Sequence, residues 1–119
     1  MTESAKGLLF SKDLMFISRM TGTASQLGKQ VDVAGQWEDL LQRAGEGSFG
    51  CLFLDLSISG LDLPEIVSRM RDLGIKTVAF GAHVQTEQLA AAEAAGCDEV
   101  HPRSRFSAQL PQILARCLG

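Results

Sequence analysis

The sequence predicts an α/β fold built on one parallel five-stranded sheet with helices on both faces. Three observations carry that expectation. Short apolar runs of strand length alternate with helix-spaced apolar patterns five times along the chain. The connections are short and hold the Gly, Asp and Pro residues expected at turns and helix ends. One run, Cys51-Leu52-Phe53-Leu54-Asp55, is apolar until it closes on a carboxylate. That is the pattern of a buried strand delivering an acid to the carboxyl end of a sheet, where parallel sheets form their sites.

Each element has its own signal. Gly7-Leu8-Leu9-Phe10 reads as the first strand. Asp13 is placed to cap the helix that follows, with Leu14, Ile17, Met20, Ala24 and Leu27 as its apolar face and Gly28 as its end. Val31-Asp32-Val33 alternates and suits a short strand near an edge. Trp37, Leu40, Leu41 and Ala44 are helix-spaced, and Gly45-Glu46-Gly47 breaks that helix. The third strand spans 49–54. Asp62 and Pro64 suit a helix start, with Ile66, Val67, Met70 and Leu73 facing inward and Gly74 closing. Thr77-Val78-Ala79-Phe80 is the fourth strand, ended by Gly81. Thr86 is the expected cap of an Ala-rich helix that stops at Gly96. Asp98-Glu99-Val100-His101 is a weak fifth strand. A last helix from Ser107 carries Leu110, Ile113, Leu114 and Leu118, and Pro111 fits it only in the first turn.

Composition narrows the function classes. At 119 residues, 45 % hydrophobic and 21 % charged, the chain reads as one domain, 1–119, with a core of its own. A net charge of −3 gives no general attraction to nucleic acid. No stretch approaches the ~20 apolar residues of a membrane span. Met1-Thr2-Glu3-Ser4-Ala5-Lys6 carries an acid and precedes no long apolar region, so it is not read as a secretory signal. Cys51, Cys97 and Cys117 have no metal-like spacing and read as reduced, packed residues of a cytoplasmic protein. His83 and His101 are too few and too far apart to argue for a metal site. Without a second domain, output must pass through this surface or another chain.

Two motifs, Leu54-Asp55 followed by Gly60-Leu61-Asp62, and Ala95-Gly96-Cys97-Asp98-Glu99, resemble those of the response-regulator receiver family. The resemblance runs from about Lys6 to Leu118. It implies a flavodoxin-like, doubly wound (βα)5 sheet with Asp55 in the phosphoacceptor position. It also implies two carboxylates after strand one for a divalent ion, a hydroxyl at the end of strand four and a Lys at the end of strand five.

The chain departs from that set. Ser11-Lys12-Asp13 stands where the acidic pair is expected, leaving Asp13 as the one acid beside Asp55 for a metal such as Mg²⁺. Lys12 either pairs with Asp55 in place of the cation or points into water while Asp13 caps a helix. Gly81 occupies the hydroxyl position and offers none; its bland role is a turn with positive φ. Val100 replaces the switch aromatic, and Ser104 follows Arg103 where the family usually has Pro. Arg103 matches the Lys position and retains a cation, and a strand-end carboxylate needs such a partner.

The expectation is therefore a non-enzymatic receiver-like signalling module. Its phosphorylation pocket is degenerate, with Asp55 lying among Ser11, Lys12, Asp13, Gly81 and Arg103. It would need no cofactor and would act through protein contacts. The resemblance points to a histidine kinase or another signalling protein, or a second copy in a homodimer. These would meet the face of helix four, strand five and helix five, where Arg103, Arg105 and Phe106 look like an exposed basic-aromatic cluster. A packed Phe106 is the plain alternative. Two other readings stay open. One is a phosphorylatable stand-alone regulator that binds Mg²⁺ through Asp13 and Asp55. The other is a flavodoxin-like small-molecule binder or enzyme, against which stands the lack of a Gly-rich loop after strand one.

Overall fold

A computed structural model describes residues 6–118. Most of the segment read as lacking a secretory signal lies outside that range. The described chain forms a five-stranded parallel sheet in the order β2-β1-β3-β4-β5. Its strands are β1 (Lys6–Phe10), β2 (Val31–Ala34), β3 (Phe49–Asp55), β4 (Lys76–Gly81) and β5 (Glu99–Pro102). Its helices are α1 (Leu14–Gln26), α2 (Trp37–Glu46), α3 (Leu63–Asp72), α4 (Thr86–Ala94), α5 (Arg103–Ala108) and α6 (Leu110–Leu118).

Side-chain alternation divides the core between the two faces of the sheet. Leu8, Phe10, Leu52 and Leu54 pack with Leu40 of α2, Ile66 and Met70 of α3 and Ala92 of α4. Leu9, Cys51, Phe53 and Phe80 pack with Phe16, Met20 and Ala24 of α1 and with Phe106, Leu110, Ile113 and Leu114 of α5 and α6. The middle strands are almost wholly buried, and β2 is the expected short edge strand. The sheet register sets Asp55 beside Phe80, and Gly81 beside Pro102.

Several local expectations need correction. Leu14 is 80 % exposed and Leu27 39 % exposed. The buried face of α1 is Phe16, Met20 and Ala24. Phe16 meets Phe80 at a ring-centroid distance of 4.7 Å, and that contact sets the rotation of the helix. Leu73 is exposed because it follows α3 as its C-cap. Thr86 opens α4 rather than capping it, and the N-cap, Gln85, makes no side-chain cap bond. The last helix starts at Arg103 and is divided near Gln109. Pro111 does lie in the first turn of α6, as expected. Lacking an N–H, it offers the Ser107 carbonyl no helical donor, and Arg19 Nη2 donates to that oxygen at 3.3 Å instead.

Asp13 and Asp62 cap α1 and α3 through their side chains as the sequence suggests. Gly28 and Gly74 end those helices at φ of 70° and 73°. Among the described residues, no helix is long and apolar enough to cross a membrane.

Candidate functional site

Asp55 is the last residue of β3 and is fully buried. A carboxylate removed from water must have every lone pair met. Ser11, just after β1, donates from Oγ to Asp55 Oδ2 at 2.7 Å. Ser57 donates to Oδ1 twice, from its backbone N at 2.9 Å and from Oγ at 2.7 Å. Arg103 Nη2 donates to the same oxygen at 2.7 Å. The Ser11 hydroxyl in turn accepts from the Asp13 N–H at 3.2 Å, so the β1–α1 turn is tied to the carboxylate through one serine.

Arg103 is the first residue of α5, directly after β5. Its guanidinium lies against the faces of Phe16 and Phe80, 5.1 and 5.2 Å from their centroids. Nη1 reaches Asp13 Oδ2 at 3.5 Å. Asp13 Oδ1 accepts from the N–H groups of Met15 and Phe16 at 3.1 and 3.2 Å, so this acid both caps α1 and faces the arginine. An arginine at a helix N-terminus opposes the helix dipole, and the two carboxylates offset that cost. Burial alone would raise the pKa of Asp55. The hydrogen bonds from Ser11 and Ser57, with the charge of Arg103, outweigh it and hold the carboxyl below its ordinary value.

The structure thus brings Ser11, Asp13, Asp55 and Arg103 together. The alternative pairing of Lys12 with Asp55 is not formed. Lys12 is exposed and borders a separate cleft of about 340 Å³ that also includes Trp37, Ile58 and Leu61. Arg103 fills the cation position that Lys12 would have taken.

Gly81 is buried at the end of β4, but its φ is not positive. Its small size matters for another reason. A Cβ there would stand 3.2 Å from Leu56 Cβ and 3.3 Å from Leu56 Cδ1. The proposed exposed cluster also needs correction. Phe106 is fully buried and stacks on Phe80 at 4.5 Å, Arg103 turns inward, and only Arg105 is exposed. The aromatic ring belongs to the core because α5 begins earlier than expected and turns that position onto the sheet.

Sequence reasoning missed Ser57, Phe16 and Phe80 as parts of the site. Ser57 was findable, since an Asp whose side chain binds the N–H two residues on is a common turn device. The ring walls around Arg103 had no signal short of the tertiary fold. Glu99, His101 and Arg116 form a further polar group beside α6. His101 Nε2 lies 2.8 Å from Glu99, which Arg116 grips with both guanidinium nitrogens.

A divalent ion with Mg²⁺ chemistry takes an octahedral shell of oxygens. Here the two candidate carboxylates, Asp13 and Asp55, both face one guanidinium, and the first position after β1 supplies a hydroxyl already used by Asp55. That donor set does not fit the ion. Among the described residues, no group of three or more His, Cys, Asp or Glu side chains is arranged to hold a metal.

No family model and no curated protein matches the sequence. Solved structures do match its fold. A response regulator from Thermotoga maritima superposes with a TM-score of 0.80 at 12 % identity, over 97 % of this chain and 98 % of that one. NtrX from Brucella abortus gives 0.80 at 21 % identity over 97 % of this chain, which spans only 27 % of the NtrX chain. The receiver domain of a sensor histidine kinase from Pseudomonas aeruginosa gives 0.79 at 18 % identity over 98 % of each chain, and it holds a magnesium ion in its active-site cleft. The chain has the flavodoxin-like fold of response-regulator receiver domains.

Proposed function

We propose that this chain is a receiver-type signalling module whose phosphoacceptor-like pocket is closed by an internal ion pair, and that it acts by binding other proteins rather than by catalysis. The observation that carries the reading is the 2.7 Å contact between Arg103 Nη2 and Asp55 Oδ1. Phosphoryl transfer to a carboxylate needs a free oxygen and a cation held for the transferring group. In this pocket the cation is already spent on the acceptor. Three donors occupy Oδ1, and Ser11 holds Oδ2.

On this reading the module works in the cytoplasm, where receiver partners such as histidine kinases reside. Contact runs through the face of α4, β5 and α5, as a heteromeric or self-paired surface. In support, α4 buries only Ala92 and leaves Ala90 exposed, a low-relief surface suited to close approach, while Ala91 and Ala94 border a groove toward residues 61–64 at the start of α3. The phosphorylatable reading predicts a different result in one experiment. The protein is incubated with acetyl phosphate and Mg²⁺ and its intact mass recorded. No phosphoryl adduct is expected. A stoichiometric adduct that disappears in Asp55→Asn would overturn the closed-pocket reading and favour the conventional one.

A further inference from the structure

A second pair of reactive groups lies near the opposite end of β3. Cys51 stands beside Gly7 and Lys76 in the sheet register and is almost fully buried. Cys117 lies in the last turn of α6 and is partly exposed. Cys51 Sγ donates to the Cys117 carbonyl at 3.5 Å, so the two residues are in direct contact although 66 positions separate them. Cys117 Sγ is 3.9 Å from Glu99 Oε2, within reach of the Arg116 guanidinium that holds the same carboxylate. Both cysteines are free thiols.

We propose that Cys51 and Cys117 are a redox-sensitive pair, with Cys117 the thiol that meets a hydroperoxide and Cys51 the thiol that resolves it into a disulfide joining β3 to α6. The Cys117 thiolate attacks one peroxide oxygen and the O–O bond breaks. This gives the sulfenic acid and hydroxide, which takes up a proton to become water. The Cys51 sulfur then attacks the sulfenic sulfur. The S–O bond breaks, the S–S bond forms, and the departing hydroxide leaves as water with the Cys51 proton. Two thiols lose two protons and two electrons, and hydrogen peroxide is reduced to two waters.

The environments of the two sulfurs suit those roles. Contact with the Cys51 thiol, followed by the charges of Arg116 and Lys76, holds Cys117 below the ordinary thiol value against the opposing effects of burial and Glu99. The same contact and burial push Cys51 upward. An oxidant reaches Cys117 from solvent, and it cannot reach Cys51 directly. Cys97 is a built-in control, because burial pushes its thiol up to about 11. Cys117 is one residue from the end of α6, where few helical bonds oppose the adjustment a disulfide requires.

The test uses the full reduced chain treated with hydrogen peroxide, followed by intact mass and a non-reducing peptide map. The expected product is a monomer lighter by two hydrogens, with Cys51 linked to Cys117 and restored by dithiothreitol. Cys97→Ser should behave like the wild type, and Cys117→Ser should lose the reaction while retaining the fold. A product that stops at sulfinic acid on Cys117, links through Cys97, or forms only between chains would overturn the proposal. The outcome is independent of whether Asp55 accepts a phosphoryl group.

Discussion

Arg103 and Asp55 meet at 2.7 Å with the carboxylate fully buried and the guanidinium laid against two adjoining phenylalanine rings. The pair joins the end of the central strand to the start of the C-terminal helices. It is also asymmetric. The arginine side chain keeps 28 % of its exposure and the aspartate none, so water screens one partner and not the other.

Removing either partner should therefore be costly, and removing both less so. Arg103→Met and Asp55→Ala should each lower unfolding free energy by about 1–3 kcal/mol, because each leaves a desolvated group unmatched. The double variant should be more stable than the summed losses predict, by roughly 0.5–3 kcal/mol. Urea unfolding of the four proteins measures this. Strict additivity would mean that the contact carries no coupling energy. Arg103→Lys should not rescue the wild-type value, since an ammonium cannot both fork to two carboxylates and lie flat against the rings.

Acid should weaken the fold through Asp55. Its folded pKa lies below the ordinary 3.8, so the unfolded chain takes up the proton first as pH falls. The stability contributed by this group is fully present above that ordinary value. It diminishes as pH drops through 3.8 and is gone below the depressed folded value. Glu99, held down chiefly by Arg116, has the same sign. Unfolding midpoints followed between about pH 5 and pH 2 should fall more steeply in the wild type than in Asp55→Asn. Parallel curves would remove Asp55 from the account.

Magnesium at millimolar concentration should leave the pocket unchanged. A calorimetric titration should show no saturable heat, and amide shifts of Ser11, Asp55 and Ser57 should stay fixed. In Arg103→Ala the competing cation is gone, and weak binding through Asp13 and Asp55 should emerge. Saturable binding in the wild type that vanishes in Asp13→Ala would instead support a working metal pocket.

The contact face can be probed without touching the core. Arg105 is exposed, so Arg105→Glu should leave the circular-dichroism spectrum and unfolding midpoint unchanged. It should weaken self-association measured by sedimentation, or capture of a protein partner. If neither changes, and substitutions on the exposed side of α4 are equally silent, the surface lies elsewhere.

How far the sequence reaches is clearest in α1 and at Arg103. The strand ending at Asp55 is legible because its apolar run and closing carboxylate have few other uses. The rotation of α1 is not. Leu14 and Leu27 fit a helical period as well as Phe16 does, and only the packing of Phe16 on Phe80 decides which face turns inward. Asp13 reads correctly as a cap, but its second oxygen reaches Arg103, 90 positions away, and no local rule reports that. The final helix reads too late because an arginine is a poor helix opener by local rules. The ion pair with Asp55 overrides that preference.

The crowding at Gly81 has a consequence for how this pocket could change over time. A side chain at position 81 needs room for its Cβ, and Leu56 Cβ and Cδ1, at 3.2 and 3.3 Å, would have to give by a few tenths of an ångström. Leu56 is itself fixed, since its N–H bonds the Phe80 carbonyl and its side chain is buried. A side chain at Gly81 presses on Leu56, and trimming the buried Leu56 alone opens a void. Positions 56 and 81 are therefore coupled, and a change at one calls for an adjustment at the other.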